Sequence, residues 1–205
     1  ANYALLHAMA SVCDNRDPET GGHTYRTQHY VKCLATHLAG KHAEAQHPFF
    51  VESLYHAAPL HDVGKVAIPD SILLKPGSLS KDEFEKIKTH TVIGRKMLLE
   101  TAQKLRSPSE FLHCAIDMAG SHHERWDGKG YPDGLAGENI PFSARVMAVA
   151  DVYDALTSKR VYKKSMSHEQ AISIILQGAG SQFDPFIVSE FLALLKDREQ
   201  ETDTF

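Results

Sequence analysis

The chain holds 13 histidines, and some of them stand beside one another or beside carboxylates. His122 and His123 are adjacent and run into Glu124-Arg125-Trp126-Asp127-Gly128-Lys129-Gly130-Tyr131-Pro132, a turn punctuated by glycine. Two neighbouring imidazoles followed by such a turn have no obvious use in a packed core. Imidazole is a nitrogen donor, and paired histidines beside carboxylates point to metal. His61 and Asp62 form a second pair, and His90 and Asp151 continue the series at gaps of 28 to 32 residues. The segment Arg16 to His23 adds Glu19 and His23. The set is five imidazoles and three carboxylates with no thiolate. That exceeds the needs of one ion, whereas two or three divalent ions sharing bridging carboxylates would use every donor. Mixed imidazole and carboxylate donors suit Fe, Mn, Zn or Ni better than Cu(I) or an all-oxygen Ca site. His7, His29, His37, His42, His47, His56, His113 and His168 lack a partner pattern and are expected to be structural or solvated.

Donors so far apart in sequence need elements that carry the chain out and back. The periodicity is helical throughout: Val31, Leu34, Ala35 and Leu38 follow the i, i+3, i+4, i+7 pattern, and no long stretch alternates as a strand would. Helices are predicted near 2–14, 23–40, 48–60, 80–100, 108–122, 142–157, 167–178 and 184–196. Capping boxes are read at Ser80 to Glu83, Ser107 to Glu110 and Ser167 to Gln170, with Pro108 and Pro185 as first helical residues after Ser107 and Asp184. Each gap between donors fits one excursion of helix and loop, which brings the donors back to one end or flank of an all-α bundle. The stretch 126–141 carries Gly128, Gly130, Gly134, Gly137, Pro132 and Pro141 and is expected to be irregular backbone with a function.

Composition narrows the classes further. At 205 residues, with no Pro/Gly/Ser-rich spacer and no repeat, one domain spanning 1–205 is expected, its polar tail fraying from about 197. The net charge of -4 gives no sign of a protein that coats a nucleic-acid polymer. Bound divalent ions would reverse the local field, so an anionic substrate stays open. Cys13, Cys33 and Cys114 are an odd, scattered set, read as free thiols in a reducing compartment. No apolar run reaches the length of a membrane span, so no membrane contact and a cytoplasmic location are expected. The start at Ala1, without Met, suggests a fragment or a processed end.

Taken together, His61-Asp62-Val63-Gly64-Lys65, His122 through Pro132, and Asp151-Val152-Tyr153-Asp154-Ala155-Leu156-Thr157 resemble, in order, the HDxGK, HHExxDGxGYP and DxxDALT segments of the HD-GYP family. Ile68-Pro69-Asp70, Lys75-Pro76-Gly77, His90 with Ile93-Gly94, and Phe183-Asp184-Pro185 extend the match over nearly the whole chain. The resemblance implies an HD-superfamily helical bundle with a Gly-rich GYP loop and a metal-dependent cyclic-dinucleotide phosphodiesterase. It implies ligation by His61, Asp62, His90, His122, His123 and Asp151, with Asp62 bridging two ions. Glu19 and His23 match an upstream ExxxH element that lets some members hold a third. Arg160 and Lys163 resemble substrate-holding cations, and Tyr131 a substrate contact or an organiser of the loop. The family also implies a sensory, receiver or GGDEF-type partner, fused or separate.

The resemblance implies hydrolysis of cyclic di-GMP to pGpG, and onward to GMP where three ions are held. Paired metals would lower the pKa of a shared water and screen the phosphate. Lys65 is expected to neutralise the phosphate or protonate the leaving oxygen, with Asp62 at the reacting centre. Asp154, three residues beyond Asp151, could orient a ligand histidine. The rival readings are a 3′,3′-cyclic GMP-AMP phosphodiesterase, a mononucleotidase, and a non-catalytic module that senses a dinucleotide or docks a partner.

Overall fold

Residues 22–105, 109–158 and 166–202 are described by the computed structural model, and they are helical, with no strand among them. The helices are α1 (His23–Leu38), α2 (Phe50–Ala57), α3 (Asp70–Leu73), α4 (Lys81–Gln103), α5 (Glu110–Ser121), α6 (Phe142–Thr157), α7 (His168–Gln177) and α8 (Pro185–Thr202). Short 3-10 turns at Ala43–Ala45, Ala58–Leu60, Val63–Ala67 and Gly137–Asn139 lie between them. The all-α class expected from the periodicity is what the chain adopts.

Helix α6 explains the layout. Its sequence is apolar on nearly every side, and Val146, Met147, Val149 and Ala150 are almost wholly enclosed. A helix apolar all round belongs inside a bundle. Helices α1, α5, α7 and α8 pack against it. The periodic stripe of α1 (Val31, Leu34, Ala35, Leu38) joins the same core, together with Leu54 of α2 and Leu112, Ala115 and Met118 of α5. Each fully buried leucine or valine there is worth about 1.5–3 kcal/mol. This core fixes α1, α5 and α6 side by side, while α4 lies across α5 and the Val63–Ala67 turn.

Several expected boundaries shift for local reasons. The predicted 48–60 helix tightens after Ala57 into the Ala58–Leu60 turn, which has Pro59 in its first positions. Helix α5 begins at Glu110 after Ser109, two residues later than expected; Ser107 and Pro108 lie outside the described residues. The boxes at Ser80 and Ser167 form in full. Asp184 caps α8 by accepting the Phe186 N–H at 2.8 Å. Helix α8 continues to Thr202, beyond the expected end at 196, because the polar run after Lys196 is rich in Arg, Glu and Gln and has no Gly or Pro to stop it. The Val63–Ala67 turn and α3 had no periodic signal and were not foreseen. The predicted 2–14 helix lies outside the described residues.

Candidate metal centre

His61 and Asp62 sit at the joint between two 3-10 turns, Ala58–Leu60 and Val63–Ala67. That kink turns both side chains toward α4 and α5. His90 comes from the middle of α4, and His122 and His123 from the C-terminal end of α5. His23 opens α1, and Asp151 and Asp154 lie on α6. Donor atoms of Asp62, His90, His122 and His123 fall within 4.8 Å of one another, and so do those of His23, His61 and Asp62. Asp62 belongs to both groups.

The hydrogen bonds of the imidazoles fix their tautomers. His61 Nδ1 donates to the Ala58 carbonyl at 2.8 Å, His90 Nδ1 to Ile87 at 2.7 Å, and His122 Nδ1 to Met118 at 2.8 Å. A carbonyl accepts only, so each Nδ1 carries the proton and each Nε2 of the neutral ring presents a lone pair. The three Nε2 atoms and Asp62 Oδ1 are buried with no hydrogen-bond partner. Leaving such atoms unpaired costs about 1–3 kcal/mol apiece unless something else meets them. His61, His90 and His122 Nε2 stand 3.2, 3.3 and 3.8 Å from the nearest Asp62 oxygens. Donors on one ion at bond lengths of about 2.1 Å sit roughly 3–3.4 Å apart. The His61 and His90 spacings match this and that of His122 is somewhat wider, so the residues fit a divalent ion.

Electrostatics agrees for most of the set. Burial holds His90 below its usual range, His122 well below it, and His123 down to about 4, so these rings stay neutral and able to donate lone pairs. His61 differs: burial opposes its charge, but the adjacent Asp62 carboxylate overrides that and raises it to about 9. Asp62 itself is held well below the carboxylate range; burial opposes this, and Lys65 and His61 prevail.

The remaining expected residues fall around this cluster. Asp151 joins neither tight group, but its Oδ1 is 3.4 Å from His23 Nε2. His23 is oriented by Asp154, as expected of that residue: Nδ1 to Oδ2 is 2.7 Å. Lys65 Nζ lies 2.7 Å from Asp62 Oδ2. The Tyr131 ring stacks on His123 with centroids 4.8 Å apart, and its N–H donates to the His123 carbonyl at 3.2 Å. Glu19, Arg160 and Lys163 lie outside the described residues.

Two other contributors, Glu124 and Arg26, escaped sequence reading. Glu124, 3% exposed, accepts the N–H groups of Asp133, Gly134 and Leu135 at 2.7, 3.1 and 3.0 Å, and so pins the GYP loop. Its place beside the paired histidines was the only available signal. A Cβ at Gly130 would come within 2.4 Å of the Arg125 nitrogen, so that glycine is required by close approach, whereas Gly128 has φ 74°. Arg26 donates twice to Asp154, at 2.6 and 3.0 Å. A cavity of about 340 Å³ opens beside His122, His123 and Asp151, walled by Phe84, Lys88 and Tyr131.

The family model described as HD domain matches residues 7–187. A Vibrio cholerae protein named "Probable cyclic di-GMP phosphodiesterase" is 54% identical over 192 residues, covering 92% of this chain and 43% of that protein. Another V. cholerae protein, named 3′3′-cGAMP-specific phosphodiesterase 2, is 40% identical over 188 residues, 92% of this chain and 34% of its own length. The chain thus spans less than half of each. The solved structure of a cyclic GMP-AMP-specific phosphodiesterase from V. cholerae superposes with a TM-score of 0.59 at 21% identity, covering 94% of this chain and 49% of that one. That likeness concerns the fold. No helix among the described residues is long and apolar enough to cross a membrane. With the family model matched across most of its length and the HD pair at the heart of its donor cluster, this chain belongs to the HD domain family, with the motifs of its HD-GYP branch.

Proposed function

We propose that this chain is a metal-dependent phosphodiesterase that hydrolyses cyclic di-GMP to linear pGpG, and onward to GMP. The carrying observation is the convergence of three unpaired imidazole Nε2 atoms on one part-buried carboxylate, Asp62. We assign His23, His61 and Asp62 to one ion, with Asp151 beside it, and Asp62, His90, His122 and His123 to a second. Glu19 is the remaining donor, available for a third. We take Fe or Mn as the ions, with Zn or Ni as alternatives; mixed imidazole and carboxylate donors accept all four. Such ions supply Lewis-acid polarisation of the phosphate and a lowered pKa for water.

The protein groups do the rest. The Ala58, Ile87 and Met118 carbonyls hold three rings in one tautomer and one orientation. Lys65, 2.7 Å from Asp62, keeps that carboxylate ionised, and we assign it to the leaving ribose 3′-oxygen as cation and proton donor. Tyr131, stacked on His123, lines the cavity beside the donor cluster, and we assign it to contact with the substrate. Burial, with Asp62 and Asp151, pushes its phenol up, so it serves as a neutral contact and not as a base. Arg160 and Lys163 are assigned to the substrate on the strength of their motif. A sensory or receiver domain, or a GGDEF-type partner, would set when the site works.

The choice of cyclic di-GMP over 3′,3′-cyclic GMP-AMP is supported by the higher identity to the relative named for the former, 54% against 40%. The test is turnover by the full-length protein, reconstituted anaerobically with Fe(II) or Mn(II), on both dinucleotides in parallel. Preferred cleavage of cyclic di-GMP is expected, and both metal content and turnover should vanish in His61→Ala and Asp62→Ala. Preference for the mixed dinucleotide would reassign the substrate. Full metal loading without cleavage would leave a sensing or docking module.

A further inference from the structure

A cyclic dinucleotide carries two phosphodiesters in one ring, and only one of them can sit at Asp62. The other keeps its negative charge throughout and needs a cation to enter a partly desolvated cavity. The cavity beside His123 and Asp151 contains three basic side chains among the described residues: Lys88, Arg125 and Lys129. Arg125 is committed to Asp127 through two hydrogen bonds, at 3.1 and 3.0 Å. Lys129 is exposed on the loop. Lys65 is already 2.7 Å from Asp62.

Lys88 is placed differently. Its Nζ lies 5.1 Å from the Phe84 ring centre and 5.4 Å from that of Tyr131, so two aromatic rings seat the ammonium at the cavity wall. These rings meet edge to face, with centroids 6.5 Å apart at 78°. Its ion-pair partner is Glu85, three residues back on the same helix and 56% exposed. Such a surface pair holds weakly, so the ammonium can turn to a buried phosphate at little cost. Phe84 is 47% exposed, an aromatic surface left open next to a metal cluster and therefore available to a base. We infer that Lys88, seated between Phe84 and Tyr131, receives the phosphodiester of the cyclic dinucleotide that is not being cut.

This inference rests on the phosphodiesterase reading, and the test separates the two. Metal-loaded full-length protein is assayed with cyclic di-GMP and with bis(p-nitrophenyl) phosphate, which has one phosphodiester and no second. Lys88→Ala should raise KM for cyclic di-GMP about tenfold or more, as loss of a charge-assisted hydrogen bond implies. The kcat should stay within about twofold, because uniform binding is what is removed. The ratio of kcat/KM between the two substrates should fall in step, and Lys88→Arg should restore most of it. Calorimetric binding of cyclic di-GMP to chelator-treated protein should weaken by a similar factor. An unchanged KM and Kd in Lys88→Ala, or equal losses on both substrates, would overturn the role of Lys88. A wild type that cuts the single diester but neither binds nor cuts cyclic di-GMP would instead refute the functional reading, and this inference with it.

Discussion

A Cβ placed on Gly64 would stand 1.9 Å from the carbonyl oxygen of His90, so the turn that carries His61 and Asp62 lies directly on the helix that carries His90. Gly94 continues that contact: a Cβ there would be 3.2 Å from the Gly64 nitrogen. The glycine of the HDxGK segment is therefore a spacer that sets the distance between two donor-bearing elements.

Gly64→Ala should accordingly damage more than stability. Backbone blocks the new methyl, so α4 and the turn must separate, at a cost towards the upper end of about 1–3 kcal/mol. Urea unfolding should show that loss, and elemental analysis of the folded fraction should show metal content well below wild type.

The Asp154→Asn change should lower metal affinity by about 10–100-fold, because it loosens His23 and strips Arg26 of its carboxylate. Competition titration against a chelator measures this. Asp184→Asn is the matched control: Asp184 pairs with Arg145 at 2.7 Å, and neither residue belongs to the donor groups. It should reduce stability and leave affinity alone.

Glu124→Gln replaces one of two accepting oxygens with a donor that faces backbone N–H groups. At least one of the three loop hydrogen bonds is lost, for about 1–3 kcal/mol. Hydrogen exchange should accelerate at Asp133, Gly134 and Leu135, and KM should rise as Tyr131 loses its support.

A pH effect is expected away from the metals. Burial raises the Asp117 carboxyl to about 6; His113 opposes this, and Glu110 and Glu44 reinforce it. A folded pKa above the unfolded one means that the fold favours the protonated acid. The site is then least costly below pH 3.8, and stability falls as pH rises from there through about 6. Asp117→Asn should stabilise the protein at pH 8 by up to about 3 kcal/mol, with the gain vanishing below about pH 4. Denaturant melts across that range test it.

Much of the site was readable because metal chemistry restricts residue type. His23, His61, Asp62, His90, His122 and His123 were named from donor chemistry, spacing and motif, and the fold brings them together. Asp154 was named as support for a histidine and reaches His23. Glu124 was overlooked because its partners are backbone N–H groups nine to eleven residues on, which no local pattern announces. Arg26 and Lys88 had no local signal, since a lone cation on a helix reads as surface.

By itself the sequence determined the helical class, the candidate donors that the fold gathers around Asp62 and the loop that needs glycine, because periodicity, donor chemistry and backbone freedom are properties of residues and their near neighbours. Tertiary structure alone decided that His23 falls in with His61, that Asp151 stands outside both tight donor groups, and that Phe84, Lys88 and Tyr131 form one wall. Those outcomes depend on how far α4 can approach the Gly64 turn and how the α6 core rotates α1 and α5. Packing sets both distances, and packing is a property of residues far apart in the chain.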